Sequence, residues 1–353
     1  MSSSPAHIEL QAQCLTAASQ IATECALLLS NDPPTTTPNL SGCDTPLIQL
    51  LHRQATLLHT LLTTQLDSPS PPPLFSPPPL VLRRLNDLID ASYAKFYAFP
   101  FKDLPACWRQ LYTDASILKF ALLYLSWAGS STTPTPGRGE EGKETEAQLG
   151  ELIRPLDLAL ILAGAEGRKR GRRWIDRAFG LLEEVWAAPA PAAWEGGLGG
   201  RAAKRRRVET RVWGDSFPTV ECFTPPVRNS VQRVDGLSFE DFQTYLDGAG
   251  QMPRPLVLTG LMGGWPAMGE RPWKSPGYLL SRTFGGRRLV PVEVGRSYVD
   301  EGWGQRVVGF GEFLERWVVG GGRKGEGKGY LAQYPLLSHI PTLLLDIHPP
   351  DLL

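Results

Sequence analysis

Up to about residue 186 the apolar residues of this chain recur every three or four positions, and beyond residue 208 they come in short β-branched runs. One kind of secondary structure cannot serve both rhythms, because a helix face repeats every 3.6 residues and a strand face every two. The chain is therefore read as α+β. It has an all-helical domain over residues 1–186, a Gly/Ala-rich basic linker over 187–215 and a strand-bearing domain over 216–353. Its 353 residues suit two domains at roughly 100 to 200 residues each.

In the first half, Leu10, Cys14, Ala17, Ile21, Cys25 and Leu28 lie on one helical face, opened by Ser4 with Pro5 in the first turn. A second helix is expected from about Pro46 to Leu66. A third is marked by Trp108, Leu111, Ala115, Leu118, Leu122 and Leu125, and two more are expected near Leu156–Ala163 and Trp174–Val185. Residues 67–79 (DSPSPPPLFSPPP) carry too many prolines for a helix interior or a central strand, since each lacks a backbone donor. They read as a polyproline II spacer, with an SH3 or WW ligand as the other reading. Residues 129–147, rich at first in Ser, Thr, Pro and Gly, read as a flexible loop.

In the second half Leu256–Thr259, Leu289–Val294 and Tyr330–Ala332 read as strands. Short helices are expected over Phe239–Leu246 capped by Ser238, after Ser275-Pro276 up to Gly285, and over Glu312–Val319. The 36 glycines and 32 prolines make up about a fifth of the chain, which calls for long loops without reaching low-complexity composition. Lys plus Arg and Asp plus Glu both number 36, so no overall field favours nucleic acid or an anionic membrane, and direct nucleic-acid binding is not expected. Five cysteines without a C-x-x-C pair argue against a disulfide framework or a zinc ribbon and for a reducing compartment. The first residues carry no basic segment ahead of an apolar core, and no run nears 18 uninterrupted apolar residues, so the expectation is a chain neither secreted nor membrane-spanning.

Several patterns that suggest chemistry read as ordinary structure. Gly197-x-Gly199-x-x-Ala202 and Gly320-x-Gly322-x-x-Gly325 lack the strand before and the helix after that a dinucleotide site needs. Gly322–Lys328 nearly spells a P-loop, but Gly329 stands where a hydroxyl would meet magnesium. No G-x-S-x-G or Cys–His arrangement indicates a hydrolase. Of the five histidines only His7-Ile8-Glu9 has the spacing of adjacent facial-triad ligands, and it reads as the solvated face of a helix. Arg168–Arg173 reads as a solvated turn between helices. Lys204, Arg205, Arg206 and Arg207, in the Gly/Ala-rich linker, read either as an ordinary solvated linker or as a nuclear import signal for an acidic receptor groove; the import reading puts the chain in the nucleus, with the cytoplasm as a second location.

Two segments carry a family resemblance. Pro255–Gly260 with Gly264–Met268 and Trp273 resembles the opening of JmjC-domain iron(II)/2-oxoglutarate oxygenases. Val290–Gly295 with Tyr298, Asp300-Glu301 and Trp303, then Gly329–Gln333, Leu336, Ile340-Pro341 and Asp346-Ile347, is similar to one branch, the JmjC-domain-containing protein five or lysine-specific demethylase eight type. Weaker similarity runs through Trp108–Tyr112, Ile117–Lys119 and Asp157–Gly164.

This resemblance implies a helical domain followed by the first part of a cupin-like double-stranded β-helix. It implies oxidative hydroxylation or demethylation of a protein substrate's Arg or Lys side chain, with iron(II) and 2-oxoglutarate as cofactors. Tyr330 matches the tyrosine that donates to the distal carboxylate of 2-oxoglutarate, and Glu293, Tyr298 and Gln333 match the pocket for the substrate side chain. By its residues alone Tyr330 reads first as a core strand aromatic, and Glu293 equally as an exposed strand carboxylate on the face opposite Val290, Val292 and Val294. The family's His-x-Asp pair, distal His and 2-oxoglutarate-anchoring Lys follow the segment matched by Asp346-Ile347, with no counterpart before Leu353. The expectation is thus a truncated, catalytically incomplete domain that itself binds neither cofactor, with no catalytic or metal residue assigned. The competing reading is a non-catalytic nuclear interaction protein using the helical domain and the Pro-rich linker.

Overall fold

The structure, a computed structural model, describes residues 4–30, 39–67, 77–100, 102–129, 140–187, 215–217, 226–248, 254–295, 303–319 and 328–349. It divides into two compact units, Met1–Arg206 with Arg287–Leu289, and Arg207–Gly286 with Val290–Leu353. The protein is mixed helix and sheet with an N-terminal helical region, as its two rhythms require.

In the first unit, helix α1 (Pro5–Leu29) starts where Ser4 Oγ accepts from His7 N at 3.2 Å, and it buries Leu10, Cys14, Ala17, Ile21 and Cys25. Helices α2 (Thr45–Asp67), α3 (Pro79–Phe96), α4 (Ala106–Gly129), α5 (Glu140–Ala163) and α6 (Arg172–Ala187) follow. Leu111, Ala115, Leu118, Phe120, Leu122 and Tyr124 point from α4 in several directions and are all buried, so α4 is the central helix of the unit.

Two helices depart from the sequence reading. Helix α3 opens on Pro79, the last residue of the expected spacer, and buries Val81, Leu85 and Leu88. Proline is compatible with the first helical position because the donor it lacks has no partner there anyway. Helix α5 begins at Glu140, inside the stretch expected as a loop, and continues through Pro155. An interior proline costs about 3 kcal/mol. Upstream of it Leu149, Leu152 and Ile153 are buried, at about 1.5 to 3 kcal/mol each, which outweighs the penalty.

The basic turn ahead of α6 is also corrected. Arg168, Lys169 and Arg173 are exposed, but Arg170 points inward and is 1% exposed. Its Nε and Nη2 donate to the Asp114 carboxylate at 3.0 and 3.1 Å, and its Nη1 and Nη2 donate to Glu24 at 3.0 and 2.6 Å. Gln110 Nε2 adds a bond to Asp114 at 2.9 Å. The turn closes tightly, so that a Cβ on Gly171 would lie 2.3 Å from the Gly167 carbonyl oxygen. In the same unit Asp157 is fully buried and accepts from Arg288 Nε at 2.8 Å and Leu289 N at 2.7 Å.

The second unit opens with strand β1 (Gln232–Asp235), helix α7 (Phe239–Gly248) and strand β2 (Leu256–Thr259), the strands parallel with Gln232 opposite Leu256. Ser238 caps α7, accepting from Asp241 N at 3.1 Å. Next come α8 (Pro276–Ser281), β3 (Leu289–Gly295), β4 (Gly304–Gly309), α9 (Phe310–Phe313), a π-helical turn (Leu314–Val319), β5 (Lys328–Tyr330), α10 (Leu336–His339) and α11 (Pro341–Leu344). Strand β3 lies between β4 and β5. Its burial alternates as expected, with Val290, Val292 and Val294 in a core that also takes Leu279, Leu280, Phe310, Leu314, Ile340 and Leu343. Strands β1 and β4 carry no apolar run to announce them, and β5 ends at Tyr330 rather than at Ala332. Gln333, three residues on, has left-handed backbone (φ 40°) and turns the chain away.

A buried carboxylate ties the last part of the unit to its middle. Asp346 accepts from Trp273 Nε1 at 3.0 Å and from the Tyr278 hydroxyl at 2.8 Å, while its own carbonyl accepts from Ala267 N at 2.9 Å. Burial, then the Asp346 carboxylate, pushes the Tyr278 phenol up to about 12. Among the described residues no helix is long and apolar enough to cross a membrane.

Candidate functional site

The three-stranded sheet has one face on the core and one open face. Antiparallel pairing of β3 with β5 sets Glu293 opposite Tyr330, Val294 opposite Gly329 and Gly295 opposite Lys328. Directly paired residues on antiparallel strands project to the same side, about 4.5 to 5.5 Å apart at Cβ. Val294 is in the core, so Glu293 and Tyr330 share the open face. Lys328, two residues before Tyr330, is on that face as well.

Tyr330 is 55% exposed, which removes the reading of a core strand aromatic. Glu293 is half-buried, and from β4 the Gln305 amide approaches its carboxylate, Nε2 to Oε1, at 3.5 Å. A carboxylate acceptor, an amide and a phenol therefore stand side by side across three strands. This arrangement can hold a cationic side chain at the carboxylate and donate a hydrogen bond from the phenol to an anion. Gln333 is exposed and left-handed, a conformation uncommon outside glycine and often found where a chain turns at a binding site.

Of the residues singled out from the sequence, the register joins Glu293 and Tyr330 and leaves Gln333 just beyond the strand end. Tyr298 and the run Lys204–Arg207 lie outside the described residues. Gln305, Lys328 and Trp317 escaped the sequence reading: Gln305 sits in a strand without a β-branched run, and Trp317 in a segment read as a plain helix. The glycine patterns at 197–202 and 320–325 also lie outside the described residues, while Gly329 pairs within the sheet.

His7 is not on a solvated face as expected. It is half-buried, its Nδ1 lies 2.7 Å from the Tyr124 hydroxyl, and burial lowers its pKa. Glu9 does face solvent and pairs with Arg177, so the two side chains do not converge. Cys14, Cys25, Cys43 and Cys107 are free and buried. Burial raises the Cys25 thiol to about 12, which keeps it in the unreactive thiol form.

No protein-family profile matches the chain. It is 26% identical over 273 residues to lysine-specific demethylase 8 of Danio rerio, covering 77% of this chain and 58% of that protein. It is 28% identical over 266 residues to Jumonji C domain-containing protein 5 of Drosophila melanogaster, covering 75% and 54%. A stretch of 123 residues is 40% identical to lysine-specific demethylase JMJ30 of Arabidopsis thaliana, covering 34% and 26%. Lysine-specific demethylase 8 and Jumonji C domain-containing protein 5 are homologues of this chain over about three quarters of its length.

The chain spans little more than half the length of the demethylase from Danio rerio and of the Drosophila melanogaster protein. JmjC demethylases as a family imply iron and 2-oxoglutarate. Among the described residues no three His, Cys, Asp or Glu side chains gather as a metal site. His339 is buried against the Tyr334 hydroxyl, Nδ1 at 2.9 Å, and His348 is exposed. These described residues do not fit a ferrous ion; the phenol of Tyr330 is exposed and can donate a hydrogen bond.

Proposed function

We propose that the open face of the β4–β3–β5 sheet is the substrate-side wall of a JmjC-type hydroxylase or demethylase acting on arginine or lysine side chains of a protein. In this reading the sheet is the first part of a double-stranded β-helix. The observation that carries it is the register that puts Glu293 opposite Tyr330. The names of the relatives, lysine-specific demethylases among them, support a substrate that carries a lysine side chain. They favour an oxygenase over a purely non-catalytic interaction protein.

Each residue has a role set by its chemistry. Glu293 accepts hydrogen bonds from the cationic head of the substrate, with Gln305 steering the carboxylate from β4. Tyr330 donates its hydroxyl to the distal carboxylate of 2-oxoglutarate, and Tyr298 and Gln333 flank the substrate side chain. Iron(II), with 2-oxoglutarate, supplies oxygen activation in this family. The described residues assemble no ligands for it. Lys204–Arg207 serves as the import signal read by a nuclear import receptor.

Calorimetric titration tests the reading on the full chain. Glu293→Gln keeps size and removes charge. A charge-assisted bond is worth about 1.5 kcal/mol at its low end, suited to a half-exposed site, so an arginine peptide should bind about tenfold more weakly. 2-Oxoglutarate affinity should stay put in Glu293→Gln and fall in Tyr330→Phe. Equal loss of both ligands in both variants, or no binding of either ligand to the unaltered chain, would remove the proposal.

A further inference from the structure

We propose that Trp317 and Gly329 are positioning residues: the indole admits only a glycine beneath it and thereby fixes the register that brings Tyr330 opposite Glu293. The proposal rests on the reading of the open face as a substrate wall.

Strand β5 is a three-residue edge strand with three paired positions. Pairing so short specifies register weakly by itself, and a slip of one residue would turn Tyr330 from the open face to the core. The core side supplies a stop. A Cβ at position 329 would lie 2.3, 2.4 and 2.6 Å from Cδ2, Cγ and Cε2 of Trp317, against the 3.4 Å where ordinary contact begins. The indole therefore lies directly on the backbone of β5 at Gly329, on the side of Val294 and opposite to Tyr330. Slipping β5 in either direction would bring Lys328 or Tyr330 under the ring, and neither fits there.

A stop works only if it is itself held. Trp317 belongs to the π-helical turn Leu314–Val319, a geometry that recurs at functional sites. It packs against the core of the second unit and lies 6.1 Å from the Phe313 ring, and the Arg316 guanidinium sits 4.9 Å from its centroid. Arg316 is in turn held by Glu312 at 2.6 Å. A methyl at position 329 must displace either a ring anchored on two sides or a strand paired at three positions.

Register can be read without any ligand. Glu293→Cys with Tyr330→Cys, made together with Cys222→Ser in the full chain, places two thiols at directly opposed positions whose spacing allows a cross-strand disulfide. Oxidised glutathione is the oxidant, and the rate is followed by mass spectrometry of intact protein. Adding Gly329→Ala should slow closure at least about tenfold, because disulfide geometry tolerates little displacement. Adding Trp317→Leu to that variant should restore the rate to within about threefold, because the smaller side chain vacates the space of the ring. An unchanged rate in Gly329→Ala would mean that the ring yields and the strand does not, which overturns the proposal. A loss that Trp317→Leu does not rescue overturns it too, as does failure of the starting cysteine pair to close. Failure of the functional reading shows separately in the titrations of Tyr330→Phe and Glu293→Gln, which leave positions 317 and 329 untouched.

Discussion

Replacing Arg170 by methionine keeps most of the side-chain volume and removes a charge that is 1% exposed inside the helical unit. Among the described residues Asp114, fully buried, would keep the amide of Gln110 at 2.9 Å, and Glu24 would keep Lys169 at 3.5 Å. Deleting one partner of a buried ion pair costs about 3 to 5 kcal/mol, because the other charge stays desolvated and uncompensated. For a unit of this size that is a fall in Tm of about 6 to 20 °C. Lys169 touches the same Glu24, but its side chain is 66% exposed, so Lys169→Met should cost no more than about 1 kcal/mol.

The pH dependence of the Arg170 effect has a definite sign. Burial raises Glu24, but hydrogen bonding and charge from Arg170, helped by Lys169, outweigh it and hold the carboxyl below its ordinary value. Its contribution is therefore present above the unfolded pKa near 4.5 and is lost as pH falls through the lower folded value. Burial pushes Asp114 up, and Arg170 opposes that shift. Without Arg170 the Asp114 carboxyl takes up a proton more readily, which relieves the buried charge. The gap between the unaltered chain and Arg170→Met should thus be widest near pH 7.5 and narrow towards pH 4.5. Urea denaturation followed by far-UV ellipticity, which the helices of the first unit dominate, measures it. A gap below 1 kcal/mol at pH 7.5, or one that does not change with pH, would refute the reasoning.

In the second unit Asp346→Ala leaves the Trp273 and Tyr278 donors without their acceptor and should cost about 2 to 3 kcal/mol by the same assay followed through tryptophan fluorescence. Tyr278, raised to about 12, gives stability that is whole below the ordinary phenol pKa near 10 and lost between 10 and 12; Asp346→Asn should bring that alkaline loss to lower pH, read as tyrosinate absorbance. Replacing Lys204, Arg205, Arg206 and Arg207 by alanine should move a tagged chain, enlarged beyond passive pore passage, from nucleus to cytoplasm, and an unchanged nuclear signal would end that reading.

What was legible in the sequence follows from how far each determinant reaches along the chain. Helix α1 was readable because its cap, its proline and its buried face are local: Ser4 bonds His7 and the face repeats within 25 residues. The alternation of β3 was readable for the same reason. Helix α3 was hidden because Pro79, the end of a run that forbids helix, is also a permitted first helical residue, and α5 because Pro155 interrupts a pattern that burial sustains. Arg170 could not be told from its basic neighbours, since what turns it inward are Asp114 and Glu24, 56 and 146 residues away in sequence. The same distance problem governs the candidate site. Family resemblance singled out Glu293 and Tyr330 separately, but their meeting depends on a register, and that register depends on a contact between Trp317 and a glycine that has no side chain to advertise it. Gly329, which in the sequence looked like the residue that spoils a P-loop, is in the fold the one position along β5 that the indole can cover. A change there should therefore disturb the open face without touching any residue on it.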